Sequence, residues 1–225
     1  NFSINSGETL GIFGKTGSGK STIANLICRL YDTTKGSVTI GNIAVPELNL
    51  NNLRTTIGYI PQDGYLFSGT IRENIAFSSN NKDQERIIKA AKQANILEEI
   101  NSFKDGFDTI IGERGVQLSG GQRQRLAIAR TFYKDPDLYI FDDCLSAIDA
   151  NKEQAILTEL KKESKGKTSI IISHRVSTLK DTDKIIVLEN GKITETGSHN
   201  KLLENKEFYS QMHQIQSNKD KKTDS

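Results

Sequence analysis

Cysteine is scarce in this chain: 225 residues carry two, Cys28 and Cys144, far apart and inside expected regular elements. That excludes a disulfide framework and fits a reducing compartment. Long apolar runs are absent as well. Nothing approaches the ~20 residues needed to span a membrane, and no signal peptide is visible. Charge of one sign is not in excess: 30 basic against 28 acidic residues leave a net charge of +2, which argues against a large nucleic-acid surface. No internal repeat occurs. The chain starts at Asn1 without a Met, almost within the hairpin expected to open the fold, so a domain cut from something longer is expected. Its length suits one large domain or two intimate subdomains with a real core.

What is present is organised around Gly14-Lys15-Thr16-Gly17-Ser18-Gly19-Lys20-Ser21. This fits G-x-x-x-x-G-K-[ST], a phosphate-cradling P-loop. Gly14, Gly17 and Gly19 let backbone N–H groups turn inward toward an anion. Lys20 can reach β- and γ-phosphates, and the Ser21 hydroxyl can ligate Mg²⁺. A plain Gly/Ser turn would carry similar letters. The flanks argue otherwise: Leu10, Ile12 and Phe13 form an apolar strand, and Ile23, Leu26, Ile27 and Leu30 follow at helical spacing. The helix therefore begins at the loop with its positive dipole end toward the phosphates.

The remaining pattern is α/β. Phe2 and Ile4 alternate as a first strand, Ser6-Gly7-Glu8 turns, and Thr9 to Phe13 is the next strand. The loop helix is expected to reach about Tyr31. Strands follow at Gly36 to Ile40 and Ile57 to Ile60, the second stopped by Pro61, with a helical segment at Leu48, Leu50 and Leu53 between them. The block from about Asp63 to Lys134 reads as a mainly helical insertion. It holds a short helix at Ile71 to Phe77 and a long one at Gln84 to Ile100 whose apolar face is Ile87, Ile88, Ala91, Ala94 and Ile96 or Leu97. A third runs from Gly120 to Phe132. Leu138 to Phe141 is a near-continuous apolar strand, as a buried parallel strand should be. A helix with Ile156, Leu157 and Leu160 inward and a strand at Thr168 to Ile172 come next. Lys184 to Leu188 and Lys192 to Glu195 pair around an Asn190-Gly191 turn. One C-terminal helix holds Leu202, Leu203, Phe208 and Tyr209, and Ser217 to Ser225 reads as a disordered tail.

Two further constellations carry chemistry. Leu138 to Phe141 ends in Asp142, where P-loop enzymes hold Mg²⁺; an ordinary buried strand with a terminal Asp would look the same, and its place after a P-loop favours the metal role. Leu118-Ser119-Gly120-Gly121-Gln122 sets two glycines before a helix, so several N–H groups and the Ser119 hydroxyl are offered together as a second anion site. A flexible Ser-Gly turn is the alternative.

With these residues in family order, the chain resembles the nucleotide-binding domain of ATP-binding cassette (ABC) transporters over essentially all of residues 1–215. The motifs are the loop 14–21, Gln62 in Tyr59-Ile60-Pro61-Gln62, the signature Leu118 to Gln122, Asp142, Ser146-Ala147-Ile148-Asp149, and His174 in Ser173-His174-Arg175. Phe67 to Ile75 and Gly112-Glu113-Arg114-Gly115 resemble exporter segments that face the coupling helices of the membrane domain. The resemblance implies an α/β fold: a P-loop NTPase (RecA-like) core over 1–62 and 135–216, a helical subdomain at about 63–134, and a small antiparallel β part. It implies ATP and Mg²⁺ as ligands, with ATP on Gly14 to Thr22, Mg²⁺ on Ser21, Asp142 and Gln62, and Gln62 also near the attacking water. Lys20 and His174 would act on the phosphates, His174 at the γ-phosphate. Ser119, Gly120, Gly121 and Gln122 would reach the nucleotide of a second domain, head to tail, so that each helix N-terminus completes a different site. The membrane domain would belong to the same polypeptide, place this part at the cytoplasmic face of the cell membrane, and select the transported substrate. No nucleic-acid partner is expected. His199 and His213 carry no such context and read as ordinary surface residues.

The chain departs from the family in three places. The adenine-stacking aromatic would lie before Asn1. Lys15 stands where a neutral residue or proline is common and is expected to face solvent. Asp143 stands where the catalytic glutamate is expected, which by resemblance marks the degenerate half of a heterodimeric exporter. An ATP-driven export engine, slow in hydrolysis on its own, is the first reading. A nucleotide-gated clamp with little hydrolysis is the second. A soluble ABC ATPase of DNA repair or translation is disfavoured by the near-neutral charge and the contiguous motifs.

Overall fold

A computed structural model describes residues 1–77, 79, 83–112 and 115–223. In chain order the strands are β1 (Thr9–Phe13), β2 (Thr39–Ile40), β3 (Ile43–Ala44), β4 (Ile57–Ile60), β5 (Gly69–Thr70), β6 (Ile110–Ile111), β7 (Leu138–Asp142), β8 (Thr168–Ser173), β9 (Lys184–Glu189) and β10 (Lys192–Gly197). The helices are α1 (Lys20–Ile27), α2 (Leu50–Thr56), α3 (Ile71–Ile75), α4 (Gln84–Gln93), α5 (Leu97–Ser102), α6 (Gly120–Lys134), α7 (Ala150–Glu163), α8 (Val176–Leu179), α9 (His199–Glu204) and α10 (Phe208–Thr223). They fall into two units. The first is Asn1–Ile57, Leu138–Asp143 and Gly166–Ser225; the second is Gly58–Asp137 and Cys144–Lys165.

The first unit is built on strands in the order β10-β9-β1-β8-β7. β1 lies between β8 and β9 and runs parallel to both, β7 is parallel to β8, and only β10 is antiparallel. The apolar run expected of a buried parallel strand holds: Tyr139, Ile140 and Phe141 are each about 1% exposed or less. β1, β8 and β9 add Leu10, Ile12, Ile170, Ile172, Ile185 and Ile186 to the same core. Asn190 and Gly191, at φ 51° and 75°, give the hairpin its type I′ turn. Apart from most of β4 and the β5–β6 pair, the regular elements described in the second unit are helical, with α3 and α4 packed on α6. The α/β class, the parallel core and the small antiparallel part are thus as the sequence leads one to expect.

Several element ends differ from expectation for local reasons. Residues 1–5 form no strand, and Phe2 is exposed. α1 stops at Ile27 because Arg29 turns left-handed at φ 49°. Arg29 N–H then bonds Leu26 C=O and Leu30 N–H reaches Asn25 C=O, a Schellman stop. The long helix expected at Gln84 to Ile100 is two. Asn95 sits at φ 52°, and Asn95 and Ile96 donate back to Lys92 and Ala91, so the same device splits α4 from α5. α4 buries Ile87, Ala90 and Ala91, while Ile88 is exposed. The C-terminal helix is also two, α9 and α10. α10 runs on to Thr223 over the segment read as a tail; no Gly or Pro interrupts residues 208–223.

The division also departs from core and subdomain as expected, since Cys144–Lys165 goes with the helical unit. Lys152 of α7 pairs with Glu99 of α5 at 2.9 Å, and Glu163 with Lys89 of α4 at 3.4 Å.

Candidate functional site

In the first unit, three neighbouring parallel strands deliver the sequence-predicted residues at their C-terminal ends. β1 ends at Phe13 and runs into the loop 14–19; β7 ends at Asp142 and Asp143; β8 ends at Ser173, followed by His174. Gly17 and Gly19 stand at φ 83° and 101°, where a side chain would be strained. Gly14 is glycine for a different reason: a Cβ there would lie 2.5 Å from Leu188 O and 2.6 Å from Ser18 Oγ. Gly19 caps α1, whose first turn holds no acidic residue, so its free N–H groups face the loop without a competing carboxylate. Ser18 Oγ is buried and has no hydrogen-bond partner among the described residues.

Lys20 is 8% exposed. Its ammonium donates to Gly14 C=O at 2.8 Å and Lys15 C=O at 2.9 Å. Burial pushes it below the usual lysine range, while the carboxylates of Asp143 and Asp142 pull the other way. Ser21 Oγ donates to Asp142 Oδ1 at 3.0 Å. A hydroxyl beside a carboxylate is a hard oxygen set of the kind Mg²⁺ takes. Among the described residues no group of three His, Cys, Asp or Glu is placed to hold a metal, so an ion at Ser21 and Asp142 would take most of its oxygens from water or a ligand. The orphan Ser18 hydroxyl, the open α1 terminus and the Ser21–Asp142 pair together fit Mg²⁺ with a phosphate chain. Thr16 and Thr22 are exposed along the same rim. Lys15 is exposed too, its ammonium 5.1 Å from the centre of the Phe208 ring.

Asp143 and His174 are brought together. His174 Nδ1 lies 2.7 Å from Asp143 Oδ2. Asp143 takes φ 50°, with its N–H bonded to Ile172 C=O at 2.9 Å. Spacing alone gives no hint of this pair.

In the second unit, Ser119 caps α6 through a capping box: its hydroxyl accepts from Gln122 N–H at 3.2 Å, and Gln122 Oε1 accepts from Ser119 N–H at 2.8 Å. Gly121 lies so close to the loop before α7 that a Cβ would sit 2.9 Å from Ala147 O. The signature and the Ser146–Asp149 stretch are therefore in contact. Gln62 is exposed, and its carbonyl accepts from Gln124 Nε2 at 3.1 Å. Glu99, which sequence reasoning missed, joins this cluster. It binds Arg125 at 2.7 Å and Lys152 at 2.9 Å. Burial alone would raise its carboxyl, yet hydrogen bonds from Arg125, Lys152 and Gln122 hold it down at about 2. Glu113 and Arg114, named from the sequence, lie outside the described residues.

Two histidines differ from expectation. His199 is half-buried, with Nδ1 3.0 Å from Tyr209 OH and its ring 5.7 Å from that of His213. A three-residue spacing in sequence from Leu202 gives no sign of that contact. Cys28 and Cys144 are buried thiols.

Comparison with known proteins agrees with these motifs. A family described as ABC transporter matches residues 1–146. The ABC transporter ATP-binding protein YwjA of Bacillus subtilis is 46% identical over 216 residues, 96% of this chain and 38% of its own. The ATP-dependent lipid A-core flippase of Pasteurella multocida is 45% identical over 218 residues, again 96% and 38%. A solved bacterial Atm1-family ABC exporter with ATP bound superposes at TM-score 0.90 with 41% identity, covering 94% of this chain and 37% of that one. The chain thus spans under two fifths of the length of these relatives. It belongs to the ABC transporter family, as a nucleotide-binding domain of the exporter type.

Proposed function

We propose that this chain binds Mg-ATP on Gly14 to Thr22, hydrolyses its terminal phosphoanhydride bond with water to give ADP and phosphate, and drives an exporter whose membrane domain is part of the same polypeptide. The carrying observation is the strand-end cluster: Lys20 under the loop, Ser21 3.0 Å from Asp142, and Asp143 2.7 Å from His174. Lys20 supplies the main charge contact to the phosphates. Ser21 and Asp142, with Gln62, would hold Mg²⁺, which would supply positive charge to offset that of the phosphates. His174 meets the γ-phosphate and Asp143 orients the attacking water.

Two chains meet head to tail over two nucleotides. In support, α1 and α6 both begin without an acidic residue in the first turn, so one chain offers two anion-binding helix ends. Phe67 and Phe77 stack and Tyr65 meets Phe67 edge-on, in an exposed row on the second unit. That row supports docking of the membrane domain, as an uncovered aromatic patch marks an interaction surface. Among the described residues no helix is long and apolar enough to cross a membrane, and the chain's place is the cytoplasmic face of the cell membrane. The near-equal charge count supports no nucleic-acid role.

Asp is one methylene shorter than Glu, so an Asp143 carboxylate falls about 1 Å short of the water, a displacement that can lower the rate on the order of 10²-fold. Slow turnover alone is expected, and by family resemblance a heterodimeric partner carries Glu at the matching position. The hold of His174 on Asp143 also favours a second reading, a nucleotide-gated clamp that binds ATP and barely turns it over.

Single-turnover hydrolysis at saturating Mg-ATP tests these roles. Asp143→Glu should raise the rate about tenfold or more with ATP affinity little changed, and Asp143→Asn should lower an already small rate only slightly. Lys20→Ala should lose most binding of a fluorescent ATP analogue. Unchanged binding in Lys20→Ala refutes the loop assignment. An unmodified rate equal to the Glu variant, abolished in Asn, makes Asp143 a competent base and removes the heterodimer argument. No turnover in any version, with binding intact, selects the clamp.

A further inference from the structure

Gln216 lies on α10, one residue before the stretch whose composition suggested a tail. Its side-chain amide makes two bonds to one short segment. Oε1 accepts from Val176 N–H at 2.8 Å, and Nε2 donates to His174 C=O at 2.8 Å. Val176 opens α8, so its N–H has no acceptor within the helix. The α8 N-cap residue, Arg175, gives no side-chain cap. Gln216 supplies that cap from 40 residues away. A primary amide carries an acceptor and donors in one plane. It can therefore bracket an N–H and a C=O on neighbouring peptides, which a hydroxyl or carboxylate cannot do in the same way.

The bracketed segment is the one that carries His174. Ser173 Oγ accepts from Arg175 N–H at 3.0 Å, which tightens the turn. Asp143 holds the His174 ring at Nδ1. The backbone of His174 is thus fixed by α10, and its ring by the residue that follows β7. With Nδ1 bound to a carboxylate, Nε2 is the ring nitrogen left to meet a substrate oxygen, and its direction depends on where the backbone sits.

We infer that Gln216 is a positioning residue for ATP hydrolysis: it sets the backbone at His174, and so makes the C-terminal helix part of the machinery that reads the terminal phosphate. This rests on hydrolysis at the site proposed above. Gln216 makes none of the contacts that hold Lys20 or Ser21, so nucleotide affinity should not depend on it.

The test uses the whole 225-residue chain, with Gln216→Ala and Gln216→Glu. Glu keeps an acceptor for Val176 N–H but sets a carboxylate oxygen against His174 C=O. It therefore separates capping of α8 from clamping of His174. Both variants should lower kcat about tenfold, in line with a sub-ångström to 1 Å displacement of a reacting group, with KM for ATP within about twofold. Gln216→Glu should melt close to the unmodified chain. The second readout needs no turnover. The chain has three histidines, so ring ¹H–¹⁵N correlations resolve each. His174 signals should move in both variants, while those of His199 and His213, the latter on α10 itself, stay in place and show α10 still seated. Unchanged kcat in both variants overturns the inference. So does a lost kcat with unmoved His174 signals, or a parallel loss of ATP affinity. If the unmodified chain does not hydrolyse ATP at all, the hydrolysis reading has failed. The His174 signals then decide the clamp alone: movement keeps it and constancy rejects it.

Discussion

Glu195 on β10 is 5% exposed, and its two carboxylate oxygens live differently. Oε1 accepts from Tyr209 N–H at 2.9 Å, while Oε2 has no hydrogen-bond partner among the described residues. Burial pushes its pKa up, Glu207 and Glu189 push the same way, and the Tyr209 N–H opposes them. Below the ordinary value of 4.5 the group is protonated folded or unfolded and has no pH effect. As pH rises through the higher folded value, ionisation is harder in the folded state, and stability falls. Glu195→Gln keeps an acceptor for Tyr209 and removes the charge. It should raise Tm at pH 8 and change it little at pH 4; a larger gain at pH 4 would count against this account. At this scale the sequence was legible where chemistry is local. The spacing of Lys20 and Ser21 and the strand end at Asp142 named residues that do stand together. Glu195, Gln216 and Glu99 were not legible, because no motif marks them and each takes its partners from another element.

Among elements, helix existence was plainer than helix ends. Ile87, Ala90 and Ala91 gave α4 its buried face, yet the stop at Asn95 depends on one residue turning left-handed, which Asn tolerates but does not announce. The same holds for Arg29, where no glycine marks the end of α1. Glu99 shows what the split achieves: with α5 separate, its carboxylate reaches α6 and α7 together. Glu99→Gln should destabilise the chain by roughly 2 kcal/mol at pH 7, less than the 3–5 kcal/mol typical of a fully buried pair, since Glu99 is 28% exposed. Its carboxyl is depressed when folded, so its contribution is present above about 4.5 and lost as pH falls toward about 2. Urea unfolding at several pH values checks this. A difference between the two proteins that grows on acidification would contradict it. The signature helix should also feel the loss, because Gln122 shares that carboxylate.

For the whole molecule, two units divide the proposed labour: the first carries the phosphate loop, the second the signature helix. In the proposed head-to-tail pair each site takes its loop from one chain and its signature from the other, so association should follow nucleotide. Sedimentation should give monomer without nucleotide and a dimer fraction with Mg-ATP under non-hydrolysing conditions. Ser119→Glu, which sets a carboxylate at the helix end proposed to meet phosphate, should abolish the dimer while leaving ATP bound; a nucleotide-independent dimer unaffected by Ser119→Glu would contradict the arrangement. The strand order has a further consequence, for synthesis. β1 is completed at Phe13, but its two neighbours, β8 and β9, begin at Thr168 and Lys184. At roughly 5–20 residues per second on a ribosome, this apolar strand waits on the order of ten to thirty seconds before either flank exists. Through that interval the nascent phosphate loop has no sheet to stand on. Chains halted before β8 should therefore be client material for chaperones, whereas chains released after β9 should be able to bind nucleotide at once.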